Sequence, residues 1–89
     1  MKTYYVYILK CADGTYYTDF TSNLEAQIQG HKAGKRAQTA NRIPVQLSFS
    51  KEFNLPAFAI AAKRQINRWS EAKKEALING DFQKVSQTM

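Results

Sequence analysis

The sequence predicts an α+β domain in which a small three-stranded antiparallel sheet is flanked by helices, in the order β-β-α-β-α-α. Three observations predict this fold. Two segments rich in tyrosine and β-branched residues flank a short turn, a later segment alternates apolar and polar residues, and the remaining segments carry apolar residues at helical spacing. The chain has 89 residues, 44% of them hydrophobic, which is enough for one domain with a modest core. We predict that residues 1–82 form this domain and residues 83–89 a loose C-terminal tail.

The first two strands are predicted over residues 3–11 and 16–21, which are rich in Tyr, Val, Ile and Leu. Between them lies Ala12-Asp13-Gly14-Thr15, and an Asp-Gly pair between two such runs is a strong signal for a hairpin turn. The two strands are therefore expected to pair antiparallel.

A first helix is predicted to follow the hairpin. Ser22 or Asn23 can cap its N-terminus, and Leu24, Ile28 and His31 recur at helical spacing. Residues 33–44 are small, polar or basic and lack periodicity, which predicts a flexible loop.

The third strand and the last two helices follow this loop. Residues 45–50 alternate apolar and polar side chains, as a half-buried strand does. Pro56 suits the first turn of a helix, and Ser70 suits the cap of a short final helix that stops at Gly80. The middle helix is predicted from apolar residues at helical spacing: Ala59, Ala62, Ile66 and Trp69.

The length of the apolar runs and the cysteine content restrict the class of protein. No apolar run approaches the ~18 residues of a membrane span, and the first residues lack the apolar stretch of a secretion signal. We therefore expect a cytoplasmic protein without a membrane partner. The single cysteine, Cys11, has no partner for an internal disulfide and is expected to be a small buried apolar residue.

An excess of basic residues points to a polyanionic partner. Thirteen Lys and Arg face seven Asp and Glu, a formal net charge of +6, and residues 32–42 contain no acidic residue. Nucleic acid, and DNA in particular, is the expected partner, held through its backbone charge because no motif for base readout is present. The candidate nucleic-acid-binding residues are Lys32, Lys35, Arg36, Arg42 and Arg64.

Several segments together resemble the GIY-YIG nuclease superfamily. They are Tyr5-Val6-Tyr7 with the turn at Asp13-Gly14, the helix that carries His31, Pro44-Val45-Gln46-Leu47, and Lys74-Glu75-Ala76-Leu77-Ile78. Within that superfamily the chain resembles most the small stand-alone bacterial GIY-YIG proteins, and it is similar to the catalytic domain of nucleases that cut branched DNA. The resemblance implies metal-assisted hydrolysis of a phosphodiester, with Mg²⁺ or Mn²⁺ as cofactor if the activity survives.

The resemblance also implies roles for individual residues. Tyr7 matches a tyrosine proposed as general base or water-positioning group, and Tyr17 and His31 match residues that hold the water and the phosphate. A helix arginine stabilises the developing negative charge, and a glutamate on the second helix binds the metal.

Three of these positions carry a different residue. Gln27 stands at the arginine position and brings no positive charge, a loss that typically costs roughly 10²-fold or more in rate. Lys63 stands at the glutamate position, and an ammonium group cannot ligate Mg²⁺. Asp19 stands at the glycine of the second motif, where it adds bulk and negative charge beside the phosphate site. We therefore expect no bound metal and a weak or lost reaction.

Periodicity adds a structural expectation for Lys63. It lies on the inward face defined by Ala59, Ala62 and Ile66, where a charge is costly unless it is paired or reaches solvent. We therefore predict an ion pair between Lys63 and Asp19.

Three functions remain open. The first is a nucleic-acid-binding domain of nuclease ancestry with little or no cleavage, and the second is an active endonuclease with a rearranged metal site. The third is a scaffold or protein-interaction module that keeps only the fold. In simpler interpretations Tyr7, Tyr16 and Tyr17 are ordinary strand residues, and His31 only interacts with the helix dipole.

Overall fold

The structure, a computed structural model, describes residues 2–81 and residue 85. Its elements follow the predicted order, with one additional 3₁₀ helix over Ala40–Arg42. The strands and helices are β1 (Tyr4–Lys10), β2 (Tyr16–Thr21), α1 (Leu24–Lys32), β3 (Gln46–Phe53), α2 (Pro56–Asn67) and α3 (Glu71–Ile78). The predicted α+β fold is confirmed.

The sheet has the strand order β2-β1-β3, and both pairings are antiparallel. The central strand β1 is covered on both faces, because its side chains alternate between two apolar clusters. Tyr7 and Leu9 pack with Ile28 of α1. Val6 and Ile8 pack on the other face with α2. This double burial explains why β1 is a nearly continuous apolar run rather than an alternating one.

The turn and the helix caps form where the sequence predicts them. Gly14 has φ of +85°, a left-handed conformation that glycine adopts without strain. Asn23 caps α1 by accepting a hydrogen bond from the backbone N–H of Ala26 at 3.2 Å. Ser70 caps α3 in the same way, at 3.2 Å from the N–H of Lys73. Of the two candidate caps of α1, Asn23 is therefore the one used.

Several boundaries differ from the prediction, and α2 ends at Asn67, before the Trp69 that was assigned to the middle helix. β3 continues to Phe53, beyond the predicted end at residue 50, because residues 51–53 pair with Tyr4–Val6 of β1 and this backbone pairing does not require alternating side chains. The flexible loop predicted over residues 33–44 is wrong in its second half. That part contains the 3₁₀ helix, and Thr39 in front of it is fully buried.

The expected loose tail lies mostly outside the described residues, as does Phe82 at the predicted domain end. Only Val85 is described there, and its N–H donates to the carbonyl of Asp81 at 3.1 Å. Cys11 is a buried free thiol, as predicted. Within residues 2–81 and at residue 85, none of the helices has the length and hydrophobicity to cross a membrane.

Candidate active site

Five of the predicted site residues meet at one side of the sheet, and we call them the tyrosine–histidine cluster: Tyr7, Tyr17, Asp19, Gln27 and His31. In the sheet register Tyr7 lies opposite Asp19, and Leu9 lies opposite Tyr17. Residues directly opposite each other, and residues two apart on one strand, share a face of the sheet. Tyr7, Tyr17 and Asp19 therefore face the same side, where Gln27 and His31 extend from neighbouring turns of α1.

A chain of hydrogen bonds runs through the buried half of the cluster. The Tyr7 hydroxyl lies 3.1 Å from Nε2 of His31, and Gln27 Nε2 donates to the same hydroxyl over a long 3.5 Å. On the other side of the ring, Nδ1 of His31 lies 2.7 Å from Oγ1 of Thr39. A neutral imidazole has one donor and one acceptor nitrogen, so one of the two hydroxyls donates to the ring and the other accepts from it.

Thr39 is a site residue that the sequence did not reveal. It is fully buried, and its hydroxyl fixes the orientation of the His31 ring. Its neighbours in sequence are small or polar and aperiodic, so no pattern distinguishes it from a solvent-exposed loop residue. Only the close approach of the loop to α1 assigns it this role.

Both tyrosines of the cluster hold their protons tightly. Burial, which disfavours the phenolate, raises the pKa of Tyr7 to about 12, and the Asp19 charge adds to this increase while Gln27 and Arg36 oppose it. Burial also raises the pKa of Tyr17, helped by the hydrogen bond that its hydroxyl donates to Oδ2 of Asp19 at 2.8 Å. At pH 7 only about one Tyr7 in 10⁵ is ionised at such a pKa. Both hydroxyls therefore stay protonated and can donate hydrogen bonds, and neither is prepared to act as a general base.

His31 is held neutral. It is 1% exposed, and burial lowers the pKa of its imidazole below the ordinary value of 6.5. The positive charge of Arg36 lowers this pKa further, and the Asp19 carboxylate partly opposes the effect. The ring is therefore a neutral hydrogen-bonding group at physiological pH.

This burial predicts that the free energy of unfolding decreases as the pH falls below 6.5. Between the ordinary pKa of 6.5 and the lower pKa of the folded state, the unfolded chain binds a proton that the folded chain does not. Acidification within that interval therefore favours unfolding. Urea titrations between pH 7.5 and about 5, above the range where most carboxylates titrate, should show this slope.

The chain has a single histidine, which makes the control direct. His31→Gln should remove the slope between pH 6.5 and 5 even if it lowers stability throughout. An NMR titration in which His31 protonates at or above pH 6.5 in the folded chain would contradict the prediction.

Asp19 forms the predicted ion pair with Lys63. Nζ of Lys63 lies 3.3 Å from Oδ1 of Asp19, which confirms the expectation from periodicity. Asp19 is bound on three sides, since Oδ1 also accepts the backbone N–H of Phe20 at 2.8 Å and Oδ2 accepts the Tyr17 hydroxyl. The side chains are 33% and 24% exposed for Lys63 and Asp19, so solvent screening limits this pair to about 0–1 kcal/mol of stability.

The residues present do not fit a divalent metal. Mg²⁺ and Mn²⁺ bind oxygen ligands, whereas the side chain that α2 presents to Asp19 is the ammonium of Lys63. The one carboxylate of the cluster, Asp19, is already occupied by that ammonium and by two hydrogen-bond donors. In the described part of the chain, no group of three or more His, Cys, Asp or Glu is arranged to hold a metal ion.

The candidate nucleic-acid-binding residues fall into two groups. Arg36 and Arg42 are half-buried near the cluster, since Arg36 acts electrostatically on Tyr7 and Arg42 on Tyr17. Arg42 is also bound within the fold, because its guanidinium donates to Oγ1 of Thr15 at 3.2 Å and to a backbone carbonyl at 2.7 Å. The other three, Lys32, Lys35 and Arg64, are exposed, and no hydrogen bond or ion pair joins them to the cluster within residues 2–81.

A groove of about 500 Å³ opens beside the cluster, at the N-terminal end of α1. Its lining includes Tyr5, Leu24, Ile28 and Leu47 but no member of the tyrosine–histidine cluster. The tyrosine–histidine cluster therefore lies outside this groove.

A sheet of order β2-β1-β3 with two tyrosines and a helix histidine on one face is consistent with the GIY-YIG domain that the sequence resembles. The model of the family described as "GIY-YIG catalytic domain" matches residues 3–77. Two solution NMR structures share the fold. The UPF0213 protein BH0048 from Bacillus halodurans has a TM-score of 0.59 and 30% identity, covering 96% of this chain and 95% of that chain. The protein EF2693 from E. faecalis has a TM-score of 0.64 and 26% identity, covering 92% and 88%.

Two further relatives show which family of GIY-YIG domain proteins the chain belongs to. The chain is 41% identical over 76 residues to a UPF0213 protein of Natronomonas pharaonis, covering 84% of this chain and 89% of that protein. It is 38% identical over 78 residues to a UPF0213 protein of Lacticaseibacillus paracasei, covering 86% and 88%. The chain therefore belongs to the UPF0213 family of GIY-YIG domain proteins. The assignment to the small stand-alone bacterial GIY-YIG proteins, made from the resemblance of the sequence, is confirmed.

Proposed function

We propose that this chain is a nucleic-acid-binding domain of GIY-YIG endonuclease ancestry in which phosphodiester cleavage is weak or lost. It binds the sugar–phosphate backbone, of DNA in particular, through charge and shape. Loss of cleavage is supported chiefly by the ion pair between Lys63 and Asp19, because it puts an ammonium group where the reaction needs a carboxylate ligand. We place this activity in the cytoplasm, where an unpaired thiol such as that of Cys11 stays reduced.

The cluster's chemistry supports binding without turnover. Tyr7 and Tyr17 stay protonated at neutral pH and His31 stays neutral, so the cluster offers hydrogen bonds but no strong base. Gln27, at the position of the helix arginine, adds hydrogen-bonding capacity without charge. A phosphodiester held at the half-buried Tyr17 and Gln27 gains hydrogen bonds, whereas activation of water and stabilisation of the extra transition-state charge are both weak.

The net charge of +6 supports attraction of a polyanion. Cations at exposed positions such as Lys32, Lys35 and Arg64 interact with phosphates in a salt-dependent way, because each neutralised phosphate releases condensed counterions. Binding of this kind reads backbone and shape rather than base sequence.

We expect salt-dependent binding to a short DNA duplex that depends on the basic residues at the C-terminal end of α1 and in the loop after it. The binding constant of a 20-base-pair duplex, measured by fluorescence anisotropy, should fall linearly with salt on logarithmic axes. Lys32→Ala should make this slope shallower by about 0.9 if Lys32 contacts one phosphate. Lys51→Ala, which removes an exposed lysine of β3, is the matched control and should leave the slope almost unchanged.

Other outcomes decide between the alternatives. No binding of DNA or of RNA of the same sequence at low salt would contradict the proposal and favour a scaffold or protein-interaction module. Preference for the RNA would keep nucleic-acid binding and change the substrate. Metal-dependent nicking by the unaltered chain would favour an active endonuclease.

A further inference from the structure

The loop after α1 folds back so that the side chain of Arg36 contacts α1 at Gly30. The backbone N–H of Lys35 donates to the carbonyl of Gly30 at 2.9 Å, which closes the turn that directs Arg36 back along α1. A Cβ atom built on Gly30 would lie 2.7 Å from Nε of Arg36 and 3.3 Å from both Cζ and Nη2. The guanidinium group therefore rests on Gly30, in space that any side chain at this position would occupy.

Contact with the helix positions this guanidinium beside the cluster. Gly30 is three residues after Gln27, so on the helix surface it adjoins this member of the cluster. The charge of Arg36 acts on both Tyr7 and His31, which is consistent with this placement. The cluster thus has a nearby cation in Arg36. Gln27, which stands at the helix position where the family resemblance implies an arginine, is itself uncharged.

The hydrogen-bonding state of Arg36 leaves its outer donors open. Nε is buried without a hydrogen-bond partner. Neither Nη atom belongs to the buried unpartnered group, and no hydrogen bond to a described residue uses them, so both retain access to solvent. An arginine held at its stem with free Nη–H donors is already arranged to bind a planar or tetrahedral oxyanion.

We propose that Arg36 is the principal phosphate-binding residue of this site, and that its guanidinium and the Gln27 amide together hold the non-bridging oxygens of one backbone phosphate. This inference rests on the proposed nucleic-acid binding and identifies where on the chain a phosphate is held. It assigns to Gly30 the role of admitting the guanidinium against α1. It also separates Arg36 from its neighbour Lys35, whose exposed side chain contributes only diffuse charge.

The test uses dimethyl phosphate, a single phosphodiester without bases, and the ring resonances of the chain's single histidine. Dimethyl phosphate should shift the His31 resonances saturably in the unaltered chain. Arg36→Ala should weaken this binding by about 10-fold or more, the typical loss when a charge-assisted hydrogen bond is removed. Lys35→Ala, which removes the same charge from the adjacent residue, should leave it nearly unchanged.

Gly30→Ala provides a second and independent variant. The atom it displaces is the far end of a flexible side chain, so the fold should survive, and alanine favours the helix more than glycine does. Gly30→Ala should weaken dimethyl phosphate binding like Arg36→Ala, and the double variant should bind no more weakly than Arg36→Ala. Both single variants should also raise the pKa of His31, because a nearby cation has been removed or displaced.

The outcomes separate this inference from the proposed function. Equal losses for Lys35→Ala and Arg36→Ala, or no saturable shift in the unaltered chain, would overturn the assignment of Arg36. Unchanged binding in Gly30→Ala despite a raised His31 pKa would do the same. If DNA binding is intact while Arg36→Ala has no effect on either probe, this inference fails and the proposed function stands. If dimethyl phosphate binds through Arg36 but no nucleic acid binds, the proposed function fails instead.

Discussion

The triple variant Asp19→Gly, Gln27→Arg, Lys63→Glu is expected to nick supercoiled plasmid DNA in the presence of Mg²⁺ or Mn²⁺, whereas the unaltered chain leaves it intact. We expect its rate to exceed any residual cutting by the unaltered chain by about 10²-fold or more, the effect typical of restoring one charge-stabilising group. Gel analysis of supercoiled, nicked and linear plasmid measures this gain, with EDTA as the metal-free control.

Each of the three changes removes a specific obstacle. Lys63→Glu replaces a cation by an oxygen ligand suited to a divalent metal. Asp19→Gly removes the carboxylate that binds Lys63 at 3.3 Å and would otherwise repel the new glutamate. Gln27→Arg adds a guanidinium four residues before His31, on the same face of α1. The single variant Lys63→Glu, which leaves two carboxylates facing each other, is expected to cut no better than the unaltered chain.

A matched control separates catalysis from a change in net charge. Arg64→Glu reverses an exposed charge next to Lys63 on α2 and alters the total charge as Lys63→Glu does. Placed with Asp19→Gly and Gln27→Arg, it should not produce cutting. Robust cleavage by the unaltered chain that Tyr7→Phe abolishes would show that the site works without these changes, and the proposed loss of activity would be wrong.

Tyr7→Ala is expected to lower the free energy of unfolding by about 3–5 kcal/mol, the cost of emptying a buried aromatic site. Tyr7 is completely buried in the central strand and packs in the cluster of Leu9 and Ile28. A domain of this size is stable by only about 5–15 kcal/mol, so the variant should lose a large fraction of its stability. Urea denaturation followed by circular dichroism measures the loss.

Tyr7→Phe separates the ring from the hydroxyl. It keeps the packing and removes only the oxygen 3.1 Å from His31 Nε2, so we expect a loss of about 1–3 kcal/mol from the unsatisfied buried nitrogen. Tyr5→Ala, at a half-buried neighbour on the same strand, should cost less than Tyr7→Ala. A Tyr7→Phe variant as stable as the unaltered chain would indicate that the bond to His31 contributes nothing to the fold.

These two experiments bear on how Tyr7 is interpreted. As a strand residue it needs only its ring, whereas as a member of the cluster it needs its hydroxyl. The structure supports both roles, because the ring lies in the core while the hydroxyl is bound to His31 and Gln27. A residue that serves both core and site is expected to tolerate few substitutions.

Local signals in the chain were sufficient for most of the fold. The turn at Gly14, the caps at Asn23 and Ser70 and the start of α2 at Pro56 depend on backbone chemistry that acts within a few residues. The end of β3 was misplaced because it depends on pairing with β1, a partner more than 40 residues away in the chain.

The candidate site likewise has one part that the sequence predicted and another that it did not. The pairing of Lys63 with Asp19 was predicted because periodicity placed a charge on an inward face, where it needs a partner, and the resemblance identified the facing position. Thr39 and the placement of Arg36 were not predicted. Both residues lie in a segment without periodicity, so the sequence does not indicate which of its side chains face the rest of the fold.

The order of residues along the chain was enough to specify the strands, the helices, their caps and the residue types available for chemistry, because these follow from interactions between near neighbours. Tertiary structure alone decided that the loop after α1 packs back on the helix, buries the Thr39 hydroxyl against His31 and lays the Arg36 guanidinium on Gly30. The physical reason is that side-chain burial and hydrogen bonding between distant segments depend on which surfaces meet, and local propensity does not encode that meeting.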